Sequence, residues 1–144
     1  MSTEENKAAV RRFIEQGWTQ HNMAAFDEFY APNVMHHALP PGMPPGLESV
    51  KQFASIFLNA FPDLQTTVEN LVAEGNKVAY QWSAHGTHQG ELLGIPPTDR
   101  QISVTGIAIE RFENGKSVEH WEIFDQLGMM QQLGVIPPPG QGGD

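Results

Sequence analysis

The sequence predicts an α+β domain, with N-terminal helices covering one face of a curved antiparallel sheet. Three observations carry this. Apolar residues recur at helical spacing as far as Ala60, and from Thr66 onward the pattern switches to alternation. Asn114-Gly115, a two-residue hairpin signal, separates two alternating runs.

Each element has its own reason. Ser2 and Glu5 have the spacing of a capping box, and Val10, Phe13, Ile14, Gly17 and Trp18 follow at helical intervals. Asn22 caps a second, short helix carrying Phe26, Phe29 and Tyr30, which Ala31-Pro32 ends. Asn33 to Gly46 is rich in Pro and Gly and reads largely as loop. A third helix runs from about Leu47 to Ala60, with Val50, Phe53, Phe57 and Phe61 on its apolar face, and Phe61-Pro62-Asp63 stops it. Thr66 to Ala73 is a strand and Gly75-Asn76 a turn. Lys77 to Thr87 alternates, with Val78, Tyr80, Trp82 and Ala84 on one side. Gln101 to Phe112 and Lys116 to Phe124 are the last strands, followed by a short helix from Gln126 to Leu133. Residues 1–136 are expected to form one domain and 137–144 a disordered Pro/Gly tail. A sheet that curls around helices leaves one internal pocket at its open end, a usual place for a small ligand.

Composition narrows the partners. The formal net charge is −9, and the eight Lys and Arg do not cluster, so binding to nucleic acid is not expected. No apolar run is long enough to cross a bilayer, and the acidic start lacks the basic and apolar regions of a secretory signal. A cytoplasmic location and no membrane partner are the expectations. With no cysteine there is no disulfide and no thiolate chemistry. The partner expected is a small hydrophobic molecule.

Glu122 lies in an apolar strand among Trp121, Ile123 and Phe124. A carboxylate is costly to bury unless paired, and desolvation moves a carboxyl pKa up towards the range of proton transfer. Glu122 is therefore a candidate catalytic group; the plainer reading is an edge carboxylate, solvated or paired with Arg. His120 shares its strand parity, together with Val118 and Phe124, and is either its partner or a half-exposed strand histidine. His88, between Gly86 and Gly90, is either an acid at the pocket mouth or a histidine bonding backbone in a tight turn. His36 and His37 follow the second helix, and alternation lets at most one of them face the pocket. Trp82, His36, Gly106, Ala108, Phe124 and Trp18 are the expected substrate-contacting positions. The histidines and carboxylates show no local spacing of a metal motif, so no metal and no organic cofactor are expected.

Four segments together point to a family: Ala60-Phe61-Pro62-Asp63-Leu64, Gly86-Thr87-His88-Gln89-Gly90, Gly94-Ile95-Pro96-Pro97-Thr98-Asp99-Arg100 and Gln131-Gln132-Leu133-Gly134. With the order of elements, they make residues 5 to 136 resemble the SnoaL-like polyketide cyclases, also called predicted ester cyclases. Their cone-shaped α+β barrel is shared with ketosteroid isomerase and nuclear transport factor two. The resemblance implies a cofactor-independent cyclase closing a ring by an intramolecular aldol reaction. In it a carboxylate removes a proton alpha to a carbonyl, and the enolate attacks an aldehyde. The resemblance also places that carboxylate at Glu122, where studied members carry Asp, and a second family position, occupied there by His, at Ala108.

Two other functions stand beside this one. A non-catalytic binding protein for a small hydrophobic metabolite needs the pocket without the base. An isomerase of the ketosteroid kind needs the base and oxyanion donors, for which His120 and His88 are candidates. Either is compatible with a homodimer or dimer of dimers. Ile107, Ile109, Trp121 and Ile123 share the parity opposite to Ala108 and Glu122 and give the outer sheet face an apolar patch.

Overall fold

The computed structural model describes residues 2–137, so the expected tail lies outside it apart from Pro137. The chain begins with α1 (Thr3–Phe13). Ser2 Oγ accepts the Glu5 amide at 3.0 Å and Glu5 Oε1 accepts the Ser2 amide at 3.2 Å, closing the capping box. Glu4 and Glu5 in the first turn and Arg11 and Arg12 in the last complement the helix dipole. The helix continues as a π-helical turn (Ile14–Thr19), a widened geometry frequent near functional sites. In α2 (Ala24–Phe29), Asn22 Oδ1 accepts the Ala24 amide at 3.1 Å. Phe13 then stacks on Phe29 with ring centres 4.3 Å apart and meets Phe26 edge-on at 4.9 Å.

The next segment corrects the sequence reading. Asn33 does not open a loop: Tyr30–His36 is a strand, β1, paired in parallel with the last strand. Pro32 is tolerated because β1 lies at the sheet edge, where a missing N–H leaves no ladder partner wanting. α3 (Leu47–Ala60) has the expected bounds. Its inward residues divide by role: Val50, Ala54 and Leu58 are buried in the core, while Phe53 and Phe57 are half-buried.

β2 (Gln65–Glu74), β3 (Lys77–Thr87), β4 (Gln101–Glu113) and β5 (Lys116–Phe124) form an antiparallel meander. The full order is β1-β5-β4-β3-β2, a curved sheet that does not close. Asn114 and Gly115 have φ of 53° and 81°, the left-handed pair that a tight hairpin turn demands. Beside that turn the β4–β5 register shifts: Phe112 pairs with Ser117 and Arg111 with Glu119, leaving Val118 as the extra residue. Ser117, not Val118, therefore joins His120 in the interior, a change that simple parity does not give. Asp125 Oδ1 accepts the Gly128 amide at 2.9 Å and caps α4 (Gln126–Leu133), which ends at left-handed Gly134.

The core has two parts. One joins α1, α2 and the near ends of the strands; the other joins the end of α3, the far half of the sheet and α4. Trp18, Met23 and Trp82 pack against both. The indole of Trp82 lies directly over Gly106: a Cβ there would sit 2.5 Å from Trp82 Cζ2 and 2.8 Å from Phe124 Cβ. Gly106→Ala is accordingly expected to destabilise the fold by about 1–3 kcal/mol, measured by urea denaturation, because Trp82 must leave its position. An unchanged midpoint would show that the indole relocates freely.

Candidate active site

Between the two parts of the core lies a cavity of about 110 Å³ with an almost wholly apolar wall. The π turn gives Ile14 and Trp18, α3 gives Val50, Phe53 and Phe57, and the sheet gives Tyr80, Trp82, Ala84, Ile102, Val104 and Phe124. Met129 of α4 closes one side. Four of its polar side chains gather where β1 meets β5: Tyr30, His36, His120 and Glu122.

At the centre of that group is a chain of charged side chains from the inner faces of β4 and β5. His120 is buried, and its two ring nitrogens are both engaged. Nδ1 donates to Glu110 Oε2 at 2.6 Å, and Nε2 donates to Glu122 Oε1 at 2.8 Å. Burial alone draws the imidazolium pKa down, but the carboxylates of Glu110 and Glu122 outweigh it and hold His120 up at about 10. His120 is thus a cation throughout the physiological range. Glu110 is fully buried and accepts two further bonds, from Tyr80 Oη at 2.7 Å and Ser117 Oγ at 2.7 Å. Three donors on one carboxylate are what a buried anion needs.

Of this chain, His120 and Glu122 line the cavity and Glu110 does not. Oε1 is bound by His120, and Oε2 has no hydrogen-bond partner among the described residues. Burial, reinforced by the Glu110 and Glu122 charges, pushes the Tyr30 and Tyr80 phenols well above their usual pKa, so both remain protonated donors. The Tyr30 hydroxyl sits 3.4 Å from His120 Nδ1, on the Glu110 side of the ring. His36 is the Cα partner of His120 across the β1–β5 pair, and the two imidazoles stack at 4.1 Å and 20°. Burial, then the neighbouring His120 charge, depresses His36 to about 3, so it is neutral.

The placement of the expected residues divides. Glu122, His120, His36, Trp82, Phe124 and Trp18 line the cavity. Gly106 and Ala108 do not reach it: Gly106 is covered by Trp82, and Ala108 is packed in the first part of the core. His88 is also elsewhere, which removes it as a pocket-mouth acid. It is fully buried, and its Nδ1 accepts the Thr98 amide at 3.2 Å, fastening the turn that leads into β4. His37 turns outward onto Glu119 at 2.7 Å and stacks on Trp121. Trp121 and Ile123 face the outside of the sheet, so they are not the apolar surroundings of the Glu122 carboxylate. Sequence reasoning missed Glu110. Its signal was available: a charged residue in the inward register of β4, two positions from Ala108 and two from Phe112. His36, His120 and Glu122 each place a potential ligand atom within 4.8 Å of the others, a juxtaposition across two strands that no linear spacing displays.

Known proteins match this chain along nearly its full length. The family description SnoaL-like polyketide cyclase covers residues 8–133. Nogalonic acid methyl ester cyclase of Streptomyces nogalater is 30% identical over 118 residues, spanning 81% of this chain and 88% of that protein. Aklanonic acid methyl ester cyclase DauD of Streptomyces sp. strain C5 is 30% identical over 141 residues, spanning 92% and 84%. Among solved structures, AclR of Streptomyces galilaeus, a candidate hydroxylase, superposes with a TM-score of 0.85 at 28% identity, covering 97% of this chain and 87% of its own. The fold thus recurs at matching length. The chain belongs to the SnoaL-like polyketide cyclase family.

Proposed function

We propose that this protein is a polyketide cyclase that closes a ring by an intramolecular aldol reaction, with Glu122 as the general base. The observation that carries the reading is the half-free carboxylate of Glu122 at the polar end of an apolar cavity, its other oxygen tied to a cationic His120. Oε2 takes a proton from the carbon alpha to a carbonyl, and the C–H electrons pass to the carbonyl oxygen as an enolate. The enolate carbon then bonds to a second carbonyl carbon of the same molecule, and the alkoxide formed takes the proton back from Glu122. Substrate and product are isomers, and the scheme calls on no metal or organic cofactor. The apolar wall excludes water and holds a fused aromatic body, while Glu110 keeps His120 charged and oriented. At about 110 Å³ the cavity is below the roughly 300–1,000 Å³ of most small-molecule sites, so a multi-ring substrate requires the half-buried Phe53 and Phe57 rings to swing aside.

The test takes its substrates from the names of the two relatives, nogalonic acid methyl ester and aklanonic acid methyl ester. Turnover of either to a product of unchanged mass with one ring more supports the reading. Tight binding without turnover replaces it with the binding-protein alternative.

We also propose that the outer sheet face pairs two copies of the chain. Ile123 is 82% exposed, Ile107 58% and Ile109 37%, beside the half-buried Trp121, an apolar area that a lone soluble chain rarely presents. Light scattering is expected to give at least twice 15.9 kDa, and Ile123→Glu is expected to give the single-chain mass. A single-chain mass for the unaltered protein would refute the pairing.

A further inference from the structure

We propose that His36 is the neutral hydrogen-bond donor that holds the enolate oxygen, while the His120 ring stacked beneath it is reserved for Glu122. This rests on the general-base reading above and goes beyond it by assigning the oxyanion site. Four observations support it.

The first is position. His36 lines the cavity at the end of β1, and one of its ring nitrogens lies within 4.8 Å of both a nitrogen of His120 and a carboxylate oxygen of Glu122. A carbonyl whose alpha proton approaches Glu122 therefore has His36 close to its oxygen. The second is the tautomer. The Ala38 amide donates to His36 Nδ1 at 3.3 Å, so Nδ1 presents its lone pair and the proton of the neutral ring is on Nε2. Nε2 has no hydrogen-bond partner among the described residues. The third is charge. A second imidazolium 4.1 Å above His120 would face a like charge across the stack, so the pair divides into one cation and one neutral ring. The low pKa of about 3 for His36 against about 10 for His120 agrees with that division. The fourth is where the other donors lie. Tyr80 Oη and Ser117 Oγ are spent on Glu110, and the Tyr30 hydroxyl lies at the Nδ1 side of His120, whereas Glu122 is bound at Nε2. Thr66 belongs to β2 at the opposite edge of the sheet, and the indole N–H groups of Trp18 and Trp82 are carried by the π turn and β3.

The same three residues are of the types that bind divalent cations, and the hydrogen bonding separates the two uses. A metal needs lone pairs. In the tautomer that the Ala38 amide selects, Nε2 of His36 carries the proton, and Nε2 of His120 donates to Glu122, so in this state neither Nε2 offers a cation a lone pair. In the reaction His36 transfers no proton. It donates a hydrogen bond to the enolate oxygen as charge builds there, and releases it when the carbonyl is restored.

The test compares His36→Phe, which keeps a stacking ring and removes the donor, with His36→Gln, which restores a donor. Both are made in the unaltered chain and in Glu122→Gln, whose neutral amide stands in for the protonated base. The probe in the second background is a naphthol, whose absorbance reports how much is bound as the naphtholate anion. Loss of one oxyanion donor is expected to lower kcat roughly 10²-fold with KM little changed in His36→Phe, and His36→Gln to regain part of it. Naphtholate binding should weaken in parallel. Nitrogen NMR of histidine-labelled protein at neutral pH should show His36 protonated on Nε2 alone and His120 on both nitrogens. Equal naphtholate binding in His36→Phe overturns the proposal, as does a His36 that is doubly protonated or protonated on Nδ1. If naphthol does not bind, the NMR tautomer decides. Activity that requires added Zn²⁺, with both histidine signals shifted by the ion, replaces the oxyanion site with a metal site. Full turnover in Glu122→Gln would remove the base assignment, and the probe and NMR results would still judge His36.

Discussion

Glu122→Gln is expected to lower kcat by a factor on the order of 10² to 10⁴, the usual loss when a general base is removed, with ligand affinity little changed. The amide has the shape of the carboxylate and no basicity. Its carbonyl oxygen still accepts from His120 Nε2, so the side chain keeps the orientation that the 2.8 Å bond gives it. That retained contact makes the substitution a test of chemistry and not of architecture. A fall in kcat with unchanged thermal stability supports the base assignment. A Glu122→Gln protein that cyclises at the unaltered rate sinks it. Activity abolished by a chelator and restored by a metal ion would defeat the scheme by a different route.

The fold was legible wherever its causes were local. The capping box at Ser2, the helical spacing of Val10 and Phe13, the alternation of Val78, Tyr80 and Trp82, and the Asn114-Gly115 turn are each written within a few neighbouring residues. β1 was not legible, because what makes Tyr30–His36 a strand is a parallel partner in β5, far along the chain. Its own pattern, with exposed Pro32 and Asn33 before buried Val34, reads as loop. That missed strand carries half of the site, since it brings Tyr30 and His36 to His120. The bulge at Val118 hid Ser117 in the same way, because one extra residue reverses the parity on which the reading depended. Glu122 was legible, but for a reason that is only partly right. Its sequence neighbours Trp121 and Ile123 are on the other face of the sheet, and the surroundings that matter are His120 and an apolar wall assembled from distant segments.

Replacing Glu110 with Leu is expected to cost about 3–5 kcal/mol of stability, the penalty for stranding one partner of a buried ion pair. For a chain of 144 residues this corresponds to a fall in Tm on the order of 10 °C. The loss arises on the partner's side. His120 is buried, and without Glu110 its Nδ1–H keeps only the Tyr30 hydroxyl at 3.4 Å and Ser117 Oγ only the Glu119 carbonyl at 3.4 Å, while the Tyr80 hydroxyl loses its acceptor. The pH dependence identifies the cause. His120 has a folded pKa of about 10 against an ordinary 6.5. A raised folded pKa means that the folded state holds the proton more tightly, so this contribution is complete below about 6.5 and is lost as pH rises through about 10. The unaltered protein should therefore lose stability across that window, and Glu110→Leu should lose less, since Glu122 alone then holds the charge. A double replacement, Glu110→Leu with His120→Phe, removes both charges and should recover much of the stability, because apolar packing can match a buried ion pair. It should not recover turnover, since Glu122 is left without the donor that orients it. Denaturation midpoints across the pH range, with turnover measured on the same samples, read all three outcomes. A Glu110→Leu protein as stable as its parent would show that the buried carboxylate contributes nothing, and would leave the charge on His120 without its main support.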